Sequence, residues 1–171
     1  MARTILIPTD FTVTSLNIAK IAMQKSCEHH EKINLILLHG LMASTSITEL
    51  LFYSKRKVLD KLETPEFHAS CKLLLAKFED KIERMTVDIF SGINQSAFEN
   101  YTSANRVDEA FIPVNNKLKL KNSDSFDMIP FFRKSKLKIT EVKWEDFSLD
   151  VQKEYQDQLS AMFFTHGRIA H

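Results

Sequence analysis

Few groups in this sequence could do chemistry, and they gather where two apolar runs end. Thr4-Ile5-Leu6-Ile7-Pro8 stops on Thr9-Asp10, and the run from Ile33 to Leu38 stops on His39 and Gly40. Short runs of this kind predict strands buried on both faces, as in a parallel sheet. Ligands bind beyond the carboxyl ends of such strands. A carboxylate there can take the hydrogen bonds of a ribose or a purine, or it can cap the turn that follows. Further on, Lys117, Lys119 and Lys121 alternate with Leu118 and Leu120, and Arg133, Lys134, Lys136 and Lys138 extend the basic segment. The pattern reads as a solvated edge guarded by lysines, with an anion site as the sharper alternative.

Other chemistries find little support. His29 and His30 are helical neighbours that point apart, and no Cys or carboxylate joins them, His39 or His68 at a metal-ligand spacing. There is no Gly-x-Ser-x-Gly elbow for a serine nucleophile. Cys27 and Cys71 sit among apolar residues in predicted helices and read as buried thiols. With no base or nucleophile to argue for, the sequence favours a non-enzymatic protein.

The elements that would position these groups alternate along the chain. After the first strand, Thr12 to Cys27 predicts a helix with Leu16, Ala19, Ala22 and Met23 as its buried stripe and Thr12 or Thr14 as its cap. Ile33 to His39 is the second strand. An excursion from Ala43 to Pro65, a lid over the crevice or a packing element, contains a predicted helix from Ile47 to Leu62. Phe67 to Met85 reads as the strongest helix, with Leu73, Leu74, Phe78, Ile82 and Met85 at helical spacing. Val87 to Gly92 is the third strand, Gln95 to Arg106 a short helix, and Asp108 to Val114 contains the fourth strand. A lysine-rich link from Asn115 to Ser125 leads to a short helix over Phe126 to Ser135. Leu137 to Trp144 is the fifth strand, and Ser148 to His166 a final helix with Val151, Tyr155, Leu159 and Met162 on one side. Strands alternating with helices specify an α/β fold with a parallel sheet covered on both faces.

Composition agrees with a folded domain. The 171 residues are 44% hydrophobic and 26% charged, and 13 are Phe, enough bulk for a core. The 23 Lys+Arg and 22 Asp+Glu leave a net charge of +1, which gives no overall pull towards nucleic acid or an anionic membrane. The apolar start ends at Pro8, too soon for a signal core, and no stretch reaches the length of a membrane span. A cytoplasmic protein is the simplest expectation.

Taken in order, Ile5-Leu6-Ile7-Pro8-Thr9-Asp10-Phe11, the Ser15 to Met23 helix, and the strands Ile33 to His39 and Val87 to Gly92 resemble the universal stress protein family. The resemblance implies a five-stranded α/β domain over residues 1–146, with 147–171 a helical extension. In the family's nucleotide-binding branch, ATP lies between the first strand and a glycine-rich loop after the fourth. By that resemblance Asp10 matches the aspartate at the adenosine end of the nucleotide. Thr9 lies beside it, and His39 and Gly40 line the adenine pocket. The departure is the loop. Val114 to Ser125 contains no glycine, and the chain has only three. Glycines let backbone amides approach a phosphate, and side chains block that approach. Asn115, Ser123 and Ser125 remain as candidate donors, while Asp124 would repel a phosphate. The expectation is a degenerate nucleotide pocket and no cofactor, with ATP binding through a lysine- and asparagine-rich loop as the alternative. The resemblance also implies a homodimer built on the fifth strand, with the C-terminal helix covering or extending the interface.

Overall fold

A computed structural model describes residues 1–26, 30–114 and 118–143. Five parallel strands form the sheet: β1 (Arg3–Pro8), β2 (Ile33–Leu41), β3 (Ile82–Phe90), β4 (Glu109–Pro113) and β6 (Lys138–Val142). Their spatial order is β3-β2-β1-β4-β6, so the first strand is central and the chain winds outward in both directions. A two-residue strand, β5 (Ser125–Phe126), runs antiparallel to β2, with Gly40 opposite Phe126 and Leu41 opposite Ser125.

The two-residue period of the strands divides the core. Ile5, Ile7, Leu35, Leu37 and Phe111 point to one face. There they meet α1 (Leu16–Ser26), α4 (Pro65–Lys77) and, through Leu59 and Leu62, α3 (Lys55–Leu62). Leu6, Ile36, Leu38, Ala110 and Ile112 point to the other. There they meet α5 (Gln95–Ala104) and α6 (Ile129–Lys134). Thr64 caps α4 by accepting from the Phe67 amide at 3.1 Å, with Pro65 in the first turn where its missing N–H costs nothing. Asn94 caps α5 in the same way, at 2.8 Å from the Ala97 amide.

Four expectations need correction. The helix expected from Phe67 to Met85 ends at Lys77, and Ile82 already begins β3, because Arg84 to Phe90 pair with Asn34 to Gly40 of β2. The helix expected over Ile47 to Leu62 is two helices, α2 (Ile47–Leu51) and α3, separated at Phe52–Ser54. The short helix after the link starts at Ile129, since Ser125 and Phe126 are drawn into β5. The first helix starts at Leu16 rather than near Thr12, although Thr12 Oγ1 does accept from the Ser15 amide at 3.2 Å. Trp144, the C-terminal helix, and Cys27 and His29 fall outside the described residues. No helix among the described residues is long and apolar enough to cross a membrane.

Candidate functional site

Thr9, Asp10, His39 and Ser125 come together where β1 and β2 end. The Thr9 amide still donates to Leu38 O at 2.9 Å, so the parallel pairing carries one residue beyond β1. The chain then turns sharply: Phe11 adopts φ 60°, a left-handed conformation that a bulky side chain rarely takes. That turn buries the Phe11 ring against His39, with centroids 4.7 Å apart, and edge-on to Phe67 at 5.4 Å. Thr9 Oγ1 accepts from the Phe11 amide at 3.2 Å and shares a 3.0 Å hydrogen bond with Ser15.

Asp10 is fully engaged by the chain itself. Its Oδ1 accepts from the Thr12 amide at 3.0 Å and the Thr12 hydroxyl at 2.5 Å. Its Oδ2 accepts from the Lys119 amide at 2.8 Å. The capping role and the crevice position are therefore both real, and both oxygens already have donors.

His39 is closed on both sides. Its Nδ1 lies 2.9 Å from Thr9 O, and a carbonyl only accepts, so Nδ1 carries the proton. Its Nε2 then accepts from the Ser125 hydroxyl at 2.7 Å. Burial lowers the His39 pKa below 6.5, against smaller upward pulls from the Thr9 hydrogen bond and the Asp10 charge, so the imidazole is neutral. A serine bonded to a neutral, oriented histidine is the start of a nucleophilic site. The amides around it are spent, however. Lys119 N–H goes to Asp10, Asp124 N–H to Asn122 Oδ1, and Ser125 N–H to Asn122 O. No oxyanion hole is formed by these groups, and the pair works as a clasp between β2 and the link.

Gly40 does not line an open adenine pocket. A Cβ there would lie 2.7 Å from Met128 Sδ and 2.7 Å from Phe126 Cε2. The absence of a side chain lets β5 and the start of α6 lie directly on β2. Ser123 is exposed in the turn and is not among the residues lining the cavity, whereas Ser125 is. Asn115 falls outside the described residues.

A cavity of about 430 Å³ remains beside this clasp, lined by Asp10, Phe11, His39, Lys61, Leu62, Thr64, Lys121, Asn122 and Ser125. Lys61 and Thr64 were not expected there. They come from the excursion, whose distance in sequence hides their approach. A larger space of about 630 Å³ lies between α2, α3 and the ends of β2 and β3, with Tyr53, Lys57, Lys61 and Ser91 on its walls. Of the two purposes expected of the excursion, packing is observed. Leu59 and Leu62 pack on the core, while α2 buries no residue. No cluster of three or more metal-ligating side chains occurs among the described residues, and His68 instead faces Glu63 at 3.7 Å.

The structure shares its fold with the universal stress protein UspA from Lactobacillus plantarum. The match has a TM-score of 0.52 at 9% identity and covers 82% of this chain and 97% of that one. A universal stress protein family member from Burkholderia pseudomallei is also similar, with TM-score 0.48, 9% identity, and coverage of 81% and 94%. So is a family protein from Arabidopsis thaliana solved with AMP bound, with TM-score 0.41, 13% identity, and coverage of 82% and 91%. No protein-family model matches the sequence, and no curated protein matches it. The fold is that of the universal stress proteins, as the sequence implied: an α/β sheet ordered β3-β2-β1-β4-β6 between layers of helices.

Proposed function

We propose that this chain is a non-enzymatic regulatory module of the universal stress protein type, in which the nucleotide crevice is degenerate and homodimerisation presents the working surface. One observation carries the reading. The link after β4 occupies the crevice and spends its polar groups internally, through Lys119 on Asp10, Ser125 on His39, and β5 over Gly40. A nucleotide would have to displace these bonds without a glycine cradle to replace them. The dimer would form on β6, whose outer edge pairs with no described strand. An antiparallel register with Ile139 opposite the partner's Thr140 would set Lys138 against the partner's Glu141, the self-complementary arrangement a two-fold interface requires. Calorimetric titration of nucleotide-stripped protein with ATP and Mg²⁺ tests the crevice, with no saturable heat expected up to about 1 mM. Light scattering tests the dimer, and a monomeric mass at all concentrations overturns it.

A second reading has its own support. Lys61 and Lys121 border the remaining cavity together with Asp10 and His39. Its volume lies within the roughly 300–1,000 Å³ of small-molecule sites. An adenine nucleotide with its phosphates on the two lysines is the occupant this arrangement would suit. Saturable ATP binding that Lys61→Ala and Lys121→Ala weaken would establish it.

A further inference from the structure

Helix α2 turns its apolar stripe the wrong way for a lone domain. Ile47, Leu50 and Leu51 stand at positions i, i+3 and i+4, so they share one face of the helix. A surface helix normally packs such a face on the core. Here Ile47 is 75% exposed and Leu51 76%, and α2 buries no residue. Phe52 follows directly at 78%, and Met42 and Tyr53 are exposed as well. Of the nine large hydrophobic side chains exposed among the described residues, six lie between Met42 and Tyr53, so they form a patch rather than a scatter. Patches of that kind mark interaction surfaces. Beside the ridge of α2 runs the groove of about 630 Å³, with Met42 and Val58 among its apolar walls. Lys57 and Lys61 of α3, Glu49 of α2 and Asp124 of the link also line it. Lys55 is engaged by Asp88, whereas no ion pair among the described residues holds any of those four.

We propose that this ridge and groove form a two-fold docking surface for a second copy of this chain. Charge selects that occupant. A bilayer of anionic lipid, a nucleic acid or an acidic partner would meet Glu49 and Asp124 as repulsion, and a basic partner would meet Lys57 and Lys61. A second copy brings both signs, and a two-fold axis sets the cations of each copy against the anions of the other. Shape agrees, because a protruding apolar ridge beside a groove can pack on its own image, with each α2 entering the other copy's groove. Composition agrees too: an apolar centre with aromatic residues, here Phe52 and Tyr53, inside a charged rim is the usual anatomy of such an interface. The surface is separate from the contact proposed on β6. The groove lies at the ends of β2 and β3, and β3 and β6 are opposite edges of the sheet. It stands whether or not β6 pairs, and whether or not a nucleotide binds.

The test uses the full chain carrying Cys27→Ser and Phe52→Cys, with Cys71 buried and Asn100→Cys, at an exposed position of α5, as the control. Under mild oxidation the docking surface predicts disulfide-linked pairs through position 52 at protein concentrations where the control forms none. Equal rates at the two positions overturn the proposal, because the contact is then random collision. The β6 contact gives no such disulfide by itself, and its loss leaves the disulfide in place, so the two contacts fail separately. Sedimentation equilibrium supplies the second readout, on a chain that keeps its own cysteines. Leu51→Glu with Phe52→Glu changes only exposed side chains and should weaken self-association by about 30-fold or more. An unchanged association constant overturns the proposal. So does a wild-type chain that shows no association sensitive to this variant but binds vesicles of phosphatidylserine and phosphatidylcholine through these residues, which would assign the patch to a membrane.

Discussion

Replacing Gly40 by Ala should destabilise the protein, although alanine in a strand is ordinarily the better residue. Two effects oppose each other. Gly40 does not occupy the left-handed region, so a Cβ restricts the unfolded chain and should stabilise by roughly 0.5–1 kcal/mol. Against this, the new Cβ would stand 2.7 Å from both Met128 Sδ and Phe126 Cε2, and 2.9 Å from Met128 Cγ. Favourable contacts between carbon atoms lie at about 3.5–4.0 Å, so the overlap approaches 1 Å. Neither neighbour yields easily. Met128 is fully buried, and the Phe126 ring packs against Phe90 and Phe131. Overpacking of this kind costs about 1–3 kcal/mol. The net loss is therefore up to about 2.5 kcal/mol, and for a chain of this size a Tm lower by several degrees, at roughly 2–4 °C per kcal/mol. Urea and thermal unfolding of Gly40→Ala in the wild-type and Met128→Ala backgrounds provide the assay. The penalty should shrink when Met128 is truncated. A Tm unchanged or raised in the wild-type background, or an equal penalty in both, would refute the claim that Gly40 exists to admit this contact.

Asp10→Ala should cost about 1.5–3 kcal/mol through the charge-assisted bonds to Thr12 and Lys119, and should speed tryptic cleavage at the exposed Lys119 and Lys121. Equal cleavage rates would mean that Asp10 does not hold the link. His39 binds protons less readily folded than unfolded, so the unfolded chain holds more protons just below pH 6.5 and stability should fall as pH drops through that range. Urea midpoints at pH 7.5 and 5.5 should show a drop that His39→Gln reduces, and an identical drop in the variant would assign the effect elsewhere. Lys119→Pro removes the amide that donates to Asp10 Oδ2, so it should weaken the closure and raise any affinity for adenine nucleotide by about 10–100-fold, as calorimetry would read it. An unchanged isotherm would show that this bond does not govern access.

The architecture was legible because the interior strands carry it in single runs. Ile5, Leu6 and Ile7, or Leu35 to Leu38, can satisfy apolar surfaces on both faces only in a covered sheet, and the observed cores divide them residue by residue. The edge strand misled for the converse reason. Glu83 and Arg84 of β3 face solvent, so a half-wet strand resembles the wet side of the preceding helix, and Ile82 and Met85 happen to continue its spacing. Only the pairing of β3 with β2 distinguishes the two, and pairing between distant segments leaves no local mark. At the site, strand-end position pointed to Thr9 and Asp10, and the family resemblance added His39. Lys61 and Thr64 were not, since the chain reaches the cavity through an excursion whose path the sequence does not state. Gly40 held a signal that could have been used differently: an isolated glycine in a strand marks a close approach as readily as a ligand.

In the degenerate-crevice reading proposed above, a link without glycines and a closed crevice are connected physically. A glycine-rich loop leaves amide donors free for an anion. A loop of asparagines, lysines and serines carries side chains that can satisfy those amides locally, as Asn122 does for Asp124, and so settles without a ligand. Once settled, it delivers the Lys119 amide to Asp10 and the Ser125 hydroxyl to His39. On that reading an incoming nucleotide would face two costs: a link that offers no glycine cradle, and charge-assisted bonds worth about 1.5–3 kcal/mol that it would have to break at Asp10. The second cost alone weakens binding by roughly one to two orders of magnitude. On the same reading, introducing one glycine into the link would leave most of that barrier in place, because the donors would still be committed to Asp10 and His39.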